Sequence, residues 1–195
     1  MIKSTEIARN LAKAIKQDAD IDAYCKAVFG KELRVVLGVM WDEYSKQNPD
    51  DETRFTPCLV VVPSGTIQTG NEQDADTADV MLSLNVDHRD KIGEEHEDPA
   101  TPFVDDDGVE IARFMPELDE LTEKIVAVAR WNVHGAVAKG ITVDVDNNVT
   151  NFNICNCLIT ASYYQGTAIL NDPETLPPEM RQLFIQQQEA LNGRT

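Results

Sequence analysis

The sequence predicts an α+β fold, a mostly antiparallel sheet of about five strands with an N-terminal helix and a long helix packed on it, plus a C-terminal helix. Two observations lead to this prediction. Apolar residues recur every three or four positions in some segments and every second position in others. These segments follow the order helix, helix, three strands, helix, two strands, helix. We expect residues 1–166 to form a single domain with an acidic loop insertion near 88–115, and residues 167–195 to form a C-terminal extension.

The first two elements are predicted helices. Ser4 is a favourable N-cap, and apolar side chains follow at four-residue intervals, at Ile7, Leu11 and Ile15. Residues 18–20, Asp-Ala-Asp, interrupt this helix. A second short helix carries an apolar stripe over residues 21–29 and ends at Gly30, because glycine adopts the left-handed conformation that closes many helices.

Three strands are predicted next. Leu33 to Trp41 alternates between two faces, and Val80 to Val86 is the clearest half-buried strand. Between them, the run Cys58 to Val62 lies between Pro57 and Pro63. Because proline has no N–H for the ladder, these prolines limit the strand and indicate an edge position for its ends. Polar loops are expected at residues 42–56 and 64–79.

A long acidic connection, residues 88–115, precedes the third helix. Connections of this length are usually functional, disordered or inserted. The helix is predicted to begin near Pro116, where proline suits the first turn, and to run to Lys139, with Gly140 closing it. Acidic residues at its start and Lys139 at its end match the helix dipole. Its apolar set is wide enough to be covered on more than one side.

A hairpin and a terminal helix are predicted to complete the chain. Ile141, Val143 and Val145 face one way on the first strand, and Asn147-Asn148 suits the turn because Asn tolerates positive φ. The return strand spans Phe152 to Gln165, and both its faces are expected to be covered. The last helix is amphipathic, with apolar side chains at Met180, Leu183, Phe184 and Leu191. We expect it to pack on its own domain rather than on a neighbour.

The charge balance excludes several classes of protein. The chain has 34 acidic and 17 basic residues, for a formal net charge of −17. This argues against a nucleic-acid-binding protein, which neutralises phosphates with Lys and Arg, and against docking on anionic membranes. No apolar run approaches the roughly 20 residues that cross a bilayer. The polar N-terminus does not resemble a signal peptide, so we expect no secretion by that route and reduced cysteines.

Common catalytic and nucleotide-binding motifs are missing from the sequence. It contains neither the P-loop pattern Gly-x-x-x-x-Gly-Lys-Ser/Thr nor the dinucleotide pattern Gly-x-Gly-x-x-Gly. It also lacks the Gly-x-Ser-x-Gly elbow of serine hydrolases. We therefore expect neither enzyme activity nor a cofactor.

Two groups of residues have a composition that metal ions favour. Cys155 and Cys157 share a strand face, but zinc requires further ligands, so both are interpreted as small apolar core residues. The segment from Asp87 to Asp98 offers carboxylates and imidazoles, but His88 and His96 lack helical spacing. It is interpreted as a solvated acidic loop, and no metal site is predicted.

Three further features are interpreted as structural. Residues 105–108 and 144–148 each match part of a calcium-binding loop, but both lack its ligand spacing and are interpreted as turns. His134 is placed on the long helix near Asn132. It is interpreted as a packed or interfacial histidine, because nothing marks an acid or a nucleophile beside it.

The predicted elements form a recognisable series along the chain. An N-terminal helix is followed by the strands Thr56–Pro63 and Asp79–Val86, the helix Glu117–Lys139 and the hairpin Ile141–Gln165. The series resembles the tail-terminator (tail-completion) proteins of long-tailed bacteriophages and prophages. The resemblance covers roughly residues 5–165 and rests on element order and strand character. It implies a hexameric ring on the head-proximal end of the tail tube, which stops tube polymerisation and joins the head connector. Such a protein is made in the host cytoplasm and remains in the virion tail.

The resemblance also implies partners. These are further copies of the chain, tail-tube protein and head-connector protein, with DNA only as passing cargo and no membrane. The long helix and the two-faced last strand would supply the subunit contacts. The candidate interface residues are Val126, Val133, Val137, Ile154 and Leu158. An acidic lumen would let DNA pass with little adhesion.

Two other hypotheses also fit the residues. One is an acidic protein-binding module such as a DNA mimic, which the charge of −17 supports. The other is a small metal-dependent enzyme that uses the carboxylates and histidines of residues 87–98. Self-association separates the ring from both, because neither alternative requires it.

Overall fold

The computed structural model describes residues 4–38, 56–67, 76–87, 103–104, 106–111, 116–133, 136–146, 154–165 and 178–193. The described helices are α1 Ser4–Gln17, α2 Ala19–Phe29, α3 Pro116–Trp131 and α4 Pro178–Asn192. The described strands are β1 Arg34–Leu37, β2 Cys58–Ile67, β3 Asp76–Asp87, β4 Phe103–Val104, β5 Glu110–Ile111, β6 Val137–Asp146 and β7 Ile154–Gln165. None of the described helices is both long enough and apolar enough to cross a membrane.

Five strands form one sheet in the order β1-β2-β3-β7-β6. The β1–β2 pair is parallel, whereas the other three pairs are antiparallel. β3 and β6 are each antiparallel to β7 and so run in the same direction, with α3 between them in the chain. The predicted α+β class, the mostly antiparallel sheet and the N- and C-terminal helices are confirmed.

Helices α1 and α3 cover one face of the sheet and form the main core there. Alternate side chains of β3, from Ala78 to Val86, are buried against them, and β7 does the same from Cys157 to Tyr163. The Tyr163 hydroxyl donates a 2.9 Å hydrogen bond to the Ala129 carbonyl and so links β7 to α3. The helices contribute Ile7, Leu11 and Ile15 from α1 and Leu121 and Ile125 from α3. Since each fully buried Leu or Ile contributes about 1.5–3 kcal/mol, this face is the main source of stability.

Local capping explains the boundary between α1 and α2. The Asp18 carboxylate accepts hydrogen bonds from the backbone N–H groups of Asp20 and Ile21, at 3.1 and 3.0 Å, and so caps α2. α2 ends at Gly30, whose φ of 69° is the left-handed conformation predicted for it. α1 begins at Ser4 and α2 ends before Gly30, as predicted, whereas α2 begins at Ala19, inside the segment 18–20 that was expected to interrupt the helices.

The predicted C-terminal end of the long helix is wrong. α3 ends at Trp131, with Arg130 in its last turn, and Val137–Gly140 belong to β6 instead. Gly135 lowers helix propensity at this point. Val137 pairs with Tyr164 of β7, so ladder hydrogen bonds replace the helical ones. His134 lies outside the described residues.

Two strands extend beyond their predicted ends. β2 continues through Pro63 to Ile67 and β3 begins at Asp76, so the predicted loop 64–79 is wrong at both ends. β1 pairs with β2 only as far as Val61. Within the described residues, Pro63 therefore has no ladder neighbour on the β1 side, in line with the predicted edge position. The part of the predicted first strand after Gly38 lies outside the described residues.

The acidic connection contains an element that the sequence did not predict. β4 and β5 pair as a short antiparallel hairpin, with Phe103 opposite Ile111 and Val104 opposite Glu110. Gly108 in its turn has a φ of 82°, which favours glycine. The turn at 106–108 agrees with the interpretation of this run as a turn rather than a calcium loop.

Candidate functional site

The sheet has a second face, directed away from α1 and α3. Its side chains alternate with the buried ones, and the strand register aligns them in rows. One row is Val62, Met81, Thr160 and Thr142, and the next is Val60, Ser83, Leu158 and Asp144. We use "second face" for these two rows.

The two rows that define the second face are poor in charge although the chain is rich in it, whereas Arg34, Asp79 and Asp87 lie on the same side of the sheet in other rows. In the two rows, Asp144 on the edge strand is the charged residue among apolar and hydroxyl side chains. Val62, Met81 and Leu158 are half-buried. A surface with few charges at its centre and apolar side chains within reach is typical of the core of a protein–protein interface.

α4 covers one corner of the sheet beside the second face. Leu183 and Phe184 pack against Val137, together with Tyr164. The side chain of Gln187, also on α4, is 3% exposed and donates a 3.3 Å hydrogen bond to the Val133 carbonyl. The terminal helix therefore packs on its own chain, as expected.

The structure leaves some of the five candidate interface residues at the surface and buries others within the chain. Val126 on α3 and Leu158 on β7 are half-buried and reach the surface. Val133 and Val137 are 1% and 2% exposed within the single chain, because α4 and the core enclose them. Ile154 is the first residue of β7, and its side chain lies outside the described residues. Surface for a partner is thus available at Val126 and Leu158.

A cavity of about 160 Å³ lies between the end of α3, the start of β6 and α4. We call it the β6 cavity. It is lined by Arg130, Trp131, Val137, Ala138, Lys139, Gly140, Ile141, Leu183 and Gln187. The lining thus combines an aromatic ring and apolar side chains with two exposed cations.

An irregularity in β6 shapes the mouth of this cavity. The pairing with β7 shifts register between Ala138 and Gly140, so Lys139 has no opposite partner in the ladder. Its ammonium lies 5.7 Å from the centre of the Tyr164 ring, within range of a cation–π contact. The sequence prediction missed this site because it placed Lys139 in a helix. The break in alternation after Val137, before the regular run from Ile141, was the available signal.

Among the described residues, the thiol side chains of Cys25, Cys58 and Cys157 are buried, and none of the three is in a disulfide. Burial raises the pKa of Cys25 to about 12, and the Asp22 carboxylate adds to this. Burial also raises the pKa of Cys157, with the Thr122 hydroxyl acting in the opposite direction. Neutral buried thiols behave as small apolar groups, in line with the interpretation from sequence. The Cys155 side chain lies outside the described residues.

Within the part of the chain that the structure describes, no group of three or more His, Cys, Asp or Glu side chains is placed to hold a metal ion. The candidate segment 88–98 lies outside this part. Asp87, which ends β3, is 1% exposed. Asp144 lies in β6 rather than in a turn, and residues 147–148 are outside the described ranges.

Raising the pH above about 9 is expected to destabilise the fold. Unfolded thiols ionise near pH 8.5, whereas the pKa of Cys25 in the fold is about 12. Between these values the unfolded chain binds fewer protons, so the free energy of unfolding is level at lower pH and falls as the pH rises towards 12. Burial raises the pKa of Tyr163 as well. Its ionisation in the unfolded chain therefore also lowers the free energy of unfolding, at higher pH.

Urea unfolding at neutral pH and at pH values of about 9 and 10.5 measures this effect. Repulsion within a chain of net charge −17 also increases at alkaline pH and destabilises the fold independently of Cys25. Cys25→Ala is the control, because it keeps this repulsion and lacks the thiol. The variant is expected to lose less stability than the wild type between neutral pH and 10.5. An equal loss in both proteins would contradict a role for this thiol.

No protein-family model matches the chain, and no curated protein sequence is significantly similar to it. Function is therefore inferred from the second face, the β6 cavity and the charge of the chain.

Proposed function

We propose that this chain is a structural assembly protein of a phage or prophage tail. Like the tail terminators that it resembles, it forms a ring that caps the tail tube and joins it to the head connector. The chain acts in the host cytoplasm during assembly and then remains in the virion tail. It has no catalytic step and needs no cofactor.

The second face is the observation that carries this proposal. Its half-buried Val62, Met81 and Leu158 lie beside hydroxyl side chains on the face opposite the main core. Burying such a surface between copies removes apolar area from water at about 25 cal/mol per Å². A monomer gains nothing from leaving these side chains accessible, whereas a subunit of an assembly gains interface energy from them.

The charge of the chain supports the same proposal. Acidic residues outnumber basic ones by 34 to 17. A ring of such subunits surrounds its lumen with negative potential, which repels the phosphate backbone and keeps DNA from adhering as it passes. A charge-poor contact surface on a strongly acidic chain also avoids burying unpaired carboxylates between subunits.

Light scattering on a sizing column, across a concentration series, tests the proposal. We expect a particle of six times the 21.7 kDa subunit, with a central hole in negative-stain images. The same measurement in the presence of tail tubes covers the case in which the tube nucleates the ring. A chain that stays monomeric under both conditions contradicts the proposal. That result favours the acidic binding module, which binds a basic protein in a salt-sensitive manner.

A further inference from the structure

The β6 cavity combines features that fit an acidic, apolar-tipped partner. Its lining includes Trp131, Ile141 and Leu183, and its volume is of the order that admits a small apolar group. Arg130 and Lys139 are exposed beside it. Two cations at one opening are notable in a chain whose net charge is −17.

Within the described residues, Arg130 and Lys139 have no carboxylate partner, as is also true of Arg9 and Lys13 on α1, but Arg130 and Lys139 are the cations that line the cavity. Lys16, Lys26 and Lys124 each form an ion pair with a carboxylate of their own chain, at 2.7, 2.8 and 3.5 Å. The cavity mouth therefore carries positive charge that no described carboxylate of the chain neutralises, although the Lys139 ammonium also lies over the Tyr164 ring.

The β4–β5 hairpin, residues 103–111, has the complementary chemistry. Val104 and Val109 are 62% and 55% exposed, the two highest values among the exposed large apolar side chains that the structure describes. Glu110 lies directly opposite Val104 in the β4–β5 ladder, so the two side chains share one face of the hairpin, and Asp106 is exposed two residues after Val104. An apolar side chain flanked by carboxylates matches an apolar cavity flanked by cations.

We propose that the β4–β5 hairpin of one subunit docks on the β6 cavity of the next. Val104 enters the cavity, and the carboxylates of Asp106 and Glu110 pair with Arg130 and Lys139 at its rim. This inference rests on the proposed ring, and it specifies how neighbouring copies recognise each other. The contact joins two different patches, so it is heterologous and repeats head to tail, which is the geometry that generates a closed ring.

Complementary charge reversal tests the docking. One variant carries Arg130→Glu with Lys139→Glu, and the other carries Asp106→Lys with Glu110→Lys. Each variant alone places like charges at the contact, so its self-association is expected to weaken by about two orders of magnitude. An equimolar mixture restores opposite charges at every contact and is expected to regain wild-type association.

The matched control is Arg9→Glu with Lys13→Glu, the same charge change at exposed positions of α1. It is expected to associate like the wild type. Thermal unfolding followed by circular dichroism verifies that every variant is folded. If either reversal variant alone assembles as well as the control, the docking is refuted while the ring itself stands.

A disulfide trap distinguishes failure of the docking from failure of the ring. Chains with Asp106→Cys and chains with Lys139→Cys are mixed under mild oxidation, with a Lys13→Cys chain replacing the latter as control. A cross-link specific to the Asp106→Cys and Lys139→Cys pair supports the docking. If the same cross-link forms in particles that are not rings, the proposed docking is supported and the proposed function is refuted. A monomeric chain that gives no cross-link refutes both.

Discussion

Val133→Asp is expected to unfold the subunit rather than to separate one subunit from another. Val133 is 1% exposed and belongs to the main core, so the new carboxylate would be buried away from water among apolar side chains. Burying an unpaired charge costs several kcal/mol. The whole free energy of unfolding of a domain this size is about 5–15 kcal/mol. The sequence alone suggested the opposite outcome, because a valine on an exposed side of a long helix would lie in the interface.

Circular dichroism and urea unfolding of the purified variant measure this effect. Val143→Asp is the matched control, since it makes the same change at a valine that is 44% exposed. The control is expected to stay within about 1 kcal/mol of the wild type. A folded Val133→Asp chain of wild-type stability that is merely monomeric would show that Val133 is an interface residue after all.

Leu158→Asp is expected to abolish assembly and leave the subunit folded. Leu158 lies at the centre of the second face, between Ser83 and Asp144, and is half-buried. An aspartate there remains accessible to water in the free subunit, so folding is little affected. In an interface the carboxylate would lose its hydration, and its repulsion from Asp144, its cross-strand neighbour in the same subunit, would lose the screening that water provides. Loss of a buried leucine and desolvation of a charge weaken association by about a hundredfold or more.

Light scattering measures the loss of assembly, and thermal unfolding measures whether the subunit stays folded. Ala27→Asp is the control for added negative charge, because Ala27 is exposed on α2, away from the second face. Val62→Asp is a second variant on the same face and guards against a folding defect peculiar to position 158. Rings formed equally well by Leu158→Asp and Val62→Asp would exclude the second face from the interface.

Strict periodicity predicted much of the fold. The alternation in β3 and the four-residue repeat in α1 identified residues that the structure buries, including Leu82, Leu84 and Leu11. These patterns are reliable because a side chain's direction follows directly from its position in a regular element. The β4–β5 hairpin was missed because its two-residue strands are too short to show a period.

The candidate site was less predictable than the fold. Leu158 was identified because the last strand has apolar residues on both faces, and the structure places it on the second face. Val137 was assigned to an outer helical surface, but α4 buries it with Leu183 and Phe184. The β6 cavity depends on α3, β6 and α4 meeting, and their sequences lie up to about sixty residues apart. No local pattern contains that information.

Local sequence decided where α2 begins and ends. Asp18 caps it and Gly30 terminates it through hydrogen bonds that close within a few residues, so no distant contact is needed. Tertiary structure decided the state of Val137 to Gly140, which have apolar spacing compatible with either a helix or a strand. Pairing with β7 and cover from α4 favour the strand. The physical reason is that backbone hydrogen bonds in a helix are satisfied locally, whereas those in a sheet depend on a partner strand that only the folded chain supplies.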